Sequence, residues 1–143
     1  MADPAEERFE DKAFEDVEFG EDLPGIEPDV SLENVRLFAR SALMMAGRFI
    51  DHEEARKAGL PGAIVPGIMS QGILVALIHR WAPNAKILHV DTIFRAPLIV
   101  DTKPTASGVV TDIDEEAKVI EIDLMIKNEK GETPVVGTAR ISL

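Results

Sequence analysis

Proton chemistry near neutral pH asks for an imidazole or a carboxylate held against a partner. This chain has three histidines, His52, His79 and His89, and no cysteine. Asp51 and His52 stand side by side and are its nearest acid–base candidates. Asp51 also fits a helix N-cap, with Glu54 three residues on, and His52 then becomes the exposed first residue of a short helix. His79 falls late in a long apolar run and reads as a core or groove histidine with one hydrogen bond. His89 shares a strand side with Asp91 and reads as a surface residue. No two histidines have ligand spacing and no thiolate exists, so neither a metal site nor a cofactor is expected. Ser70 would need a neighbouring base to act as a nucleophile. The sequence places none beside it, so it reads as a helix residue.

These side chains must be held by the stretch around which the chain is organised, residues 59–82, GLPGAIVPGIMSQGILVALIHRWA. Gly59 to Gly62 is a turn. The apolar run from Ile68 to Trp81 is too long for a strand and shorter than the ~20 residues of a bilayer-spanning helix. It predicts a helix buried on most of its circumference. Upstream, Ser31 is an N-cap and residues 32–43 carry helical apolar spacing. Arg48-Phe49-Ile50 reads as a link, and His52 to Ala58 as a short helix closed by Gly59. Downstream, residues 85–98, 104–114, 117–128 and 134–143 have strand character, with hairpin turns at Asp114-Glu115-Glu116 and Asn128-Glu129-Lys130-Gly131. In the first strand, Leu88, Val90, Thr92 and Phe94 form the side facing the long helix. Phe14 to Phe19 reads as a short strand or an extended lead-in. The prolines between Leu23 and Val30 confine any strand there to a sheet edge. Helices followed by an antiparallel meander predict an α+β fold with a sheet folded round one helix.

At 143 residues one domain is expected, residues 14–143, behind an acidic leader, 1–13. The net charge of −11 is concentrated: residues 1–29 hold 12 acidic and 2 basic side chains, and the rest are nearly balanced at 14 and 13. Neither part offers the basic face that nucleic acid needs. The acidic start lacks the apolar region of a signal peptide, and nothing else could span a membrane, so the expectation is a cytoplasmic protein.

The segment from Ala55 to Met69, ARKAGLPGAIVPGIM, resembles the helix, glycine turn and buried-helix start of the MaoC-like dehydratase family. Phe94-Arg95-Ala96-Pro97-Leu98 with Asp101-Thr102, and Gly137-Thr138-Ala139, are similar to further parts of that family, and the likeness runs from about Phe14 to Leu143. The resemblance implies the hotdog fold, a curved antiparallel sheet around a long helix. It implies hydratase or dehydratase chemistry on enoyl or 3-hydroxyacyl thioesters of coenzyme A or acyl carrier protein. The partner it implies is a second copy or a MaoC-like paralogue.

The family motif is an Asp, four residues, a His, one residue, then an Asp that opens the short helix. With Asp51 in the last place, Ala55 and Gly59 stay in register, while the His place falls on Phe49 and the first Asp place on Met44. Neither can move a proton. Moving His52 into the His place needs a three-residue shift that breaks the match. What the resemblance retains is a backbone oxyanion donor at Gly67. Met44, Phe49, Ile64, Val65, Pro66 and Met69 are the expected acyl-lining residues; Met44, Phe49 and Met69 fit ordinary core equally well. A thioesterase, which the fold also hosts, would use a carboxylate such as Glu53 or Glu54. Arg48 and Arg95 are among the basic residues that could meet a phosphate or simply face solvent.

Overall fold

The computed structural model describes residues 10–143. The expected leader lies outside them over residues 1–9. A 3-10 turn, Phe14–Asp16, precedes β1 (Asp22–Ile26), and helices α1 (Leu32–Ser41), α2 (Gly47–Ile50), α3 (His52–Lys57) and α4 (Gly67–Trp81) follow. Four strands complete the chain: β2 (Lys86–Phe94), β3 (Thr105–Asp114), β4 (Val119–Lys127) and β5 (Val135–Ser142). With β1 they form a five-stranded antiparallel sheet in the order β1-β3-β4-β5-β2.

The start of α1 follows its local chemistry: Ser31 Oγ accepts from the Asn34 N–H at 3.3 Å. Its end comes two residues before the apolar pattern stops. Leu43 turns left-handed (φ 57°) and the Met44 N–H reaches the Ala39 carbonyl at 2.7 Å. That bond occupies a carbonyl that the helix end would otherwise leave open. Gly59 ends α3 at φ 88°, where a side chain would be strained. Residues 48–50, expected as a link, instead belong to a helical turn that buries Phe49.

The sheet departs from a simple meander. Strands β3, β4 and β5 run hairpin to hairpin, but β2 lies beyond β5 at the far edge. The connection after Phe94, with Pro97 and Pro104, cannot make a tight turn. It leaves the sheet and returns at β3. Pro24 sits in β1 at the other edge, where its missing N–H breaks no central ladder. A bulge between Ile87 and His89 reverses the expected sides at the start of β2: Ile87 packs on the core and Leu88 is exposed. Past it, Val90 and Thr92 face inward, and Thr92 Oγ1 accepts from Gln71 Nε2 at 2.9 Å.

Helix α4 packs on β1, β3 and β4, burying Met69, Ser70, Leu74, Leu77, Ile78 and Trp81. Its far end is tied down where Trp81 Nε1 donates to Glu21 Oε2 at 2.9 Å, the carboxylate that also takes Lys12 Nζ at 2.9 Å. Burial is less complete than the apolar run suggests. Ile68 is 60% exposed, and Gly72 and Ala76 are exposed on the same flank. The sheet of one chain covers one side of this helix and stops at the β2 edge. No helix among the described residues is long and apolar enough to cross a membrane.

Candidate functional site

A cavity of about 440 Å³ opens at the start of α4. Three elements build it. Helix α2 supplies Arg48 and Phe49, the strap before α4 supplies Ile64 and Val65, and the end of β2 with the residue after it supplies Phe94 and Arg95. Gly67 and Ser70 form its floor on α4. Four of the sequence's candidates thus meet here: Phe49, Ile64, Val65 and Gly67. Pro66 and Met69 are buried next to them without lining the space, and Met44 is half-buried outside it.

The strap is held from both sides. The Ile64 N–H donates to the Arg48 carbonyl at 2.9 Å, the Val65 N–H to the Leu98 carbonyl at 2.8 Å, and the Val100 N–H to the Ala63 carbonyl at 2.8 Å. Ile64 and Ile99 form an isolated antiparallel bridge. Pro66 then takes the N-cap place without a side-chain bond. The Met69 and Ser70 N–H groups both turn back to the Pro66 carbonyl, while no described residue accepts from those of Gly67 and Ile68. These are the donors a helix start cannot satisfy internally, with the positive end of the helix dipole behind them. The Phe94 ring lies over Gly67, so close that a Cβ there would stand 3.0 Å from its tip carbon.

The walls are apolar except at the rim. The Arg48 guanidinium stacks on the Phe49 ring at 4.5 Å, and Arg95 lies on the same cavity. Among the described residues, no carboxylate and no imidazole lines it. The arrangement can hold an apolar group beside the N–H groups that open α4 and offer cations to an anion; among the described residues Ser70 brings its one hydroxyl, with no carboxylate or imidazole on the cavity to take its proton.

The acid–base candidates lie elsewhere. Asp51 is the expected cap of α3: Oδ1 accepts from the Glu53 N–H at 2.8 Å and the Glu54 N–H at 3.1 Å. Those bonds, that of Glu54 foremost, hold its carboxyl below the ordinary value. His52 differs from expectation. It is half-buried, not exposed, and both ring nitrogens are engaged. The Ala63 N–H donates to Nδ1 at 3.0 Å, so the ring proton sits on Nε2, which donates to Asp101 Oδ2 at 2.8 Å. Asp101 Oδ1 takes the Leu32 N–H at 2.8 Å. The bond from His52, then that from Leu32, lowers the Asp101 carboxyl from its usual range. The tight Asp101 turn, φ 64°, was visible in the sequence only as Asp-Thr after the strand, and nothing local announces its partner 49 residues away.

Glu53 and Glu54 are exposed on α3 away from the cavity, and Glu54 pairs with Lys57 at 3.1 Å. His79 donates through Nε2 to the Ala85 carbonyl at 3.1 Å, on an exposed part of α4 and not in the core. His89 is on the surface, as expected. A larger groove of about 690 Å³ runs along α1, but none of the sequence's candidates lines it.

Among solved structures, the chain is similar to the (R)-hydratase from A. caviae involved in PHA biosynthesis (TM-score 0.84, 20% identity, covering 90% of this chain and 98% of that one). It is similar to a chain of the ChsH1-ChsH2 complex from Mycobacterium tuberculosis (0.80, 20%, covering 87% and 97%). A MaoC-like dehydratase gives 0.84 at 21% identity, covering 92% of this chain and 42% of that longer one. No family model and no curated protein matches the sequence. At these identities the likeness carries the fold, which is the hotdog fold of MaoC-like dehydratases and (R)-hydratases.

Proposed function

We infer that this chain binds an acyl thioester of coenzyme A or acyl carrier protein in the manner of hydratases and dehydratases, without itself carrying the acid–base pair. One observation carries the reading: the cavity joins an apolar wall and an open helix start, and among the described residues neither a carboxylate nor an imidazole lines it. The thioester carbonyl meets the Gly67 and Ile68 N–H groups, and the acyl chain lies against Phe49, Ile64 and Val65. Arg48 and Arg95 suit the phosphates of the carrier. Phe49 and Met44 stand where the family motif has its His and Asp, so the water that would add across the double bond has no base here.

A second reading makes the chain the non-catalytic subunit of a heteromer whose MaoC-like partner supplies the pair. The uncovered flank of α4, beside an edge strand exposing Leu88 and Ile93, supports it, as does the similarity to a chain of a two-component complex. Calorimetry with butyryl-CoA and a hydration assay with crotonyl-CoA test both. The expected result is binding without turnover by the chain alone. Turnover appears when a MaoC-like chain with an intact pair is present, or weakly in the Met44→Asp/Phe49→His double variant. Turnover by the unmodified chain alone would overturn the assignment, and absence of binding would remove the thioester site. The thioesterase alternative predicts free thiol release from butyryl-CoA, and no carboxylate among the described residues lines the cavity to favour it.

A further inference from the structure

We propose that His52 is a positioning residue for the carbonyl-binding end of α4, acting through the Ala63 N–H and locked in the necessary tautomer by Asp101. It rests on the thioester reading above and names what holds that site in register. Ala63 is fully buried, so its N–H must find an acceptor inside the protein. Among the described residues that acceptor is His52 Nδ1, 3.0 Å away. An imidazole offers that lone pair only while its proton is on the other nitrogen. Asp101 enforces this by accepting a hydrogen bond from the Nε2–H at 2.8 Å, and it is itself fixed by the Leu32 N–H at 2.8 Å and by its own N–H on the Val30 carbonyl at 2.9 Å.

Position 62 is shaped for the contact. A Cβ on Gly62 would come within 2.9 Å of Nδ1. From Ala63 the chain runs through Ile64, Val65 and Pro66 to Gly67, pinned at Arg48, Leu98 and Val100 and stiffened by proline. A displaced Ala63 therefore moves the helix start instead of being absorbed by a loose loop. Among the described residues, His52 hydrogen-bonds to none that lines the cavity; its bonds end at Ala63 and Asp101.

The test separates the two ring nitrogens in the full chain. His52→Asn keeps an acceptor oxygen where Nδ1 stands but cannot reach Asp101. His52→Gln keeps a donor where Nε2 stands but has no acceptor for Ala63. The expected result is that Ala63 amide exchange and the Gly67 and Ile68 amide resonances stay near wild type in His52→Asn. In His52→Gln, Ala63 exchange accelerates about tenfold or more. Butyryl-CoA binding then weakens about tenfold, the effect of one lost buried hydrogen bond. Gly62→Ala should behave as His52→Gln does. Nitrogen NMR should place the wild-type His52 proton on Nε2. A proton on Nδ1 would overturn the proposal. So would a folded His52→Gln protein whose Ala63, Gly67 and Ile68 amides match wild type. Failure of the wild type to bind butyryl-CoA removes the thioester reading instead, and the amide contrast between Asn and Gln still decides whether His52 sets the helix start.

Discussion

Asp51 and His52 are neighbours in sequence and do unrelated work. Asp51 satisfies the N–H groups that open α3, whereas His52 reaches across to Asp101 and the strap before α4. Both carboxylates are held below the ordinary 3.8, Asp51 by the Glu54 N–H first and Asp101 by the His52 bond first. A depressed folded value means that the folded state binds the proton less readily than the unfolded chain. The stability involved is fully present above 3.8 and is lost as pH falls through the lower folded values. Denaturant unfolding at decreasing pH should show this decline, and Asp101→Asn should flatten it. An unchanged acid slope in that variant would show that the His52–Asp101 bond does not contribute.

At the scale of elements, the edge strand β2 depends on a glycine. Gly137 lies opposite Thr92, and a Cβ there would stand 2.7 Å from the Asp91 carbonyl oxygen. Backbone cannot yield as a side chain can, so Gly137→Ala must push β2 away from β5. The expected cost is about 1–3 kcal/mol by urea unfolding. Amide exchange should accelerate along β2 first; uniform acceleration across the sheet would contradict a local clash. Gly67→Ala meets the softer edge of the Phe94 ring at 3.0 Å. It should leave stability nearly intact while weakening butyryl-CoA binding, because the ring must move into the cavity.

The described residues share a core in which α4 lies on the sheet with Leu74, Leu77 and Ile78 fully buried. Leu74→Ala should cost about 2–5 kcal/mol by chemical denaturation, the range for a buried leucine with limited room to collapse. What one chain cannot do is cover both sides of that helix. Ile68, exposed at 60%, and Ile93, at 58%, lie on the helix flank and the adjoining sheet edge left open. Association through this region should appear as a mass above 15.6 kDa in sedimentation, with the chain alone or with a MaoC-like partner. A strictly monomeric chain in both conditions would count against the heteromer reading.

The sequence by itself determined the parts whose cause is local. Ser31 and Asp51 are caps, Gly59 ends a helix, alternation marks the strands, and the glycine- and proline-bounded apolar run becomes the long helix. It also placed Phe49, Ile64, Val65 and Gly67 at one site, through the resemblance their neighbourhood bears to a family. Tertiary structure decided the rest. The place of β2 beside β5, the bulge that turns Leu88 outward, and the bond between His52 and Asp101 each depend on a partner distant in the chain. Local spacing records which residues can share a face, but it cannot record which distant group will be waiting there.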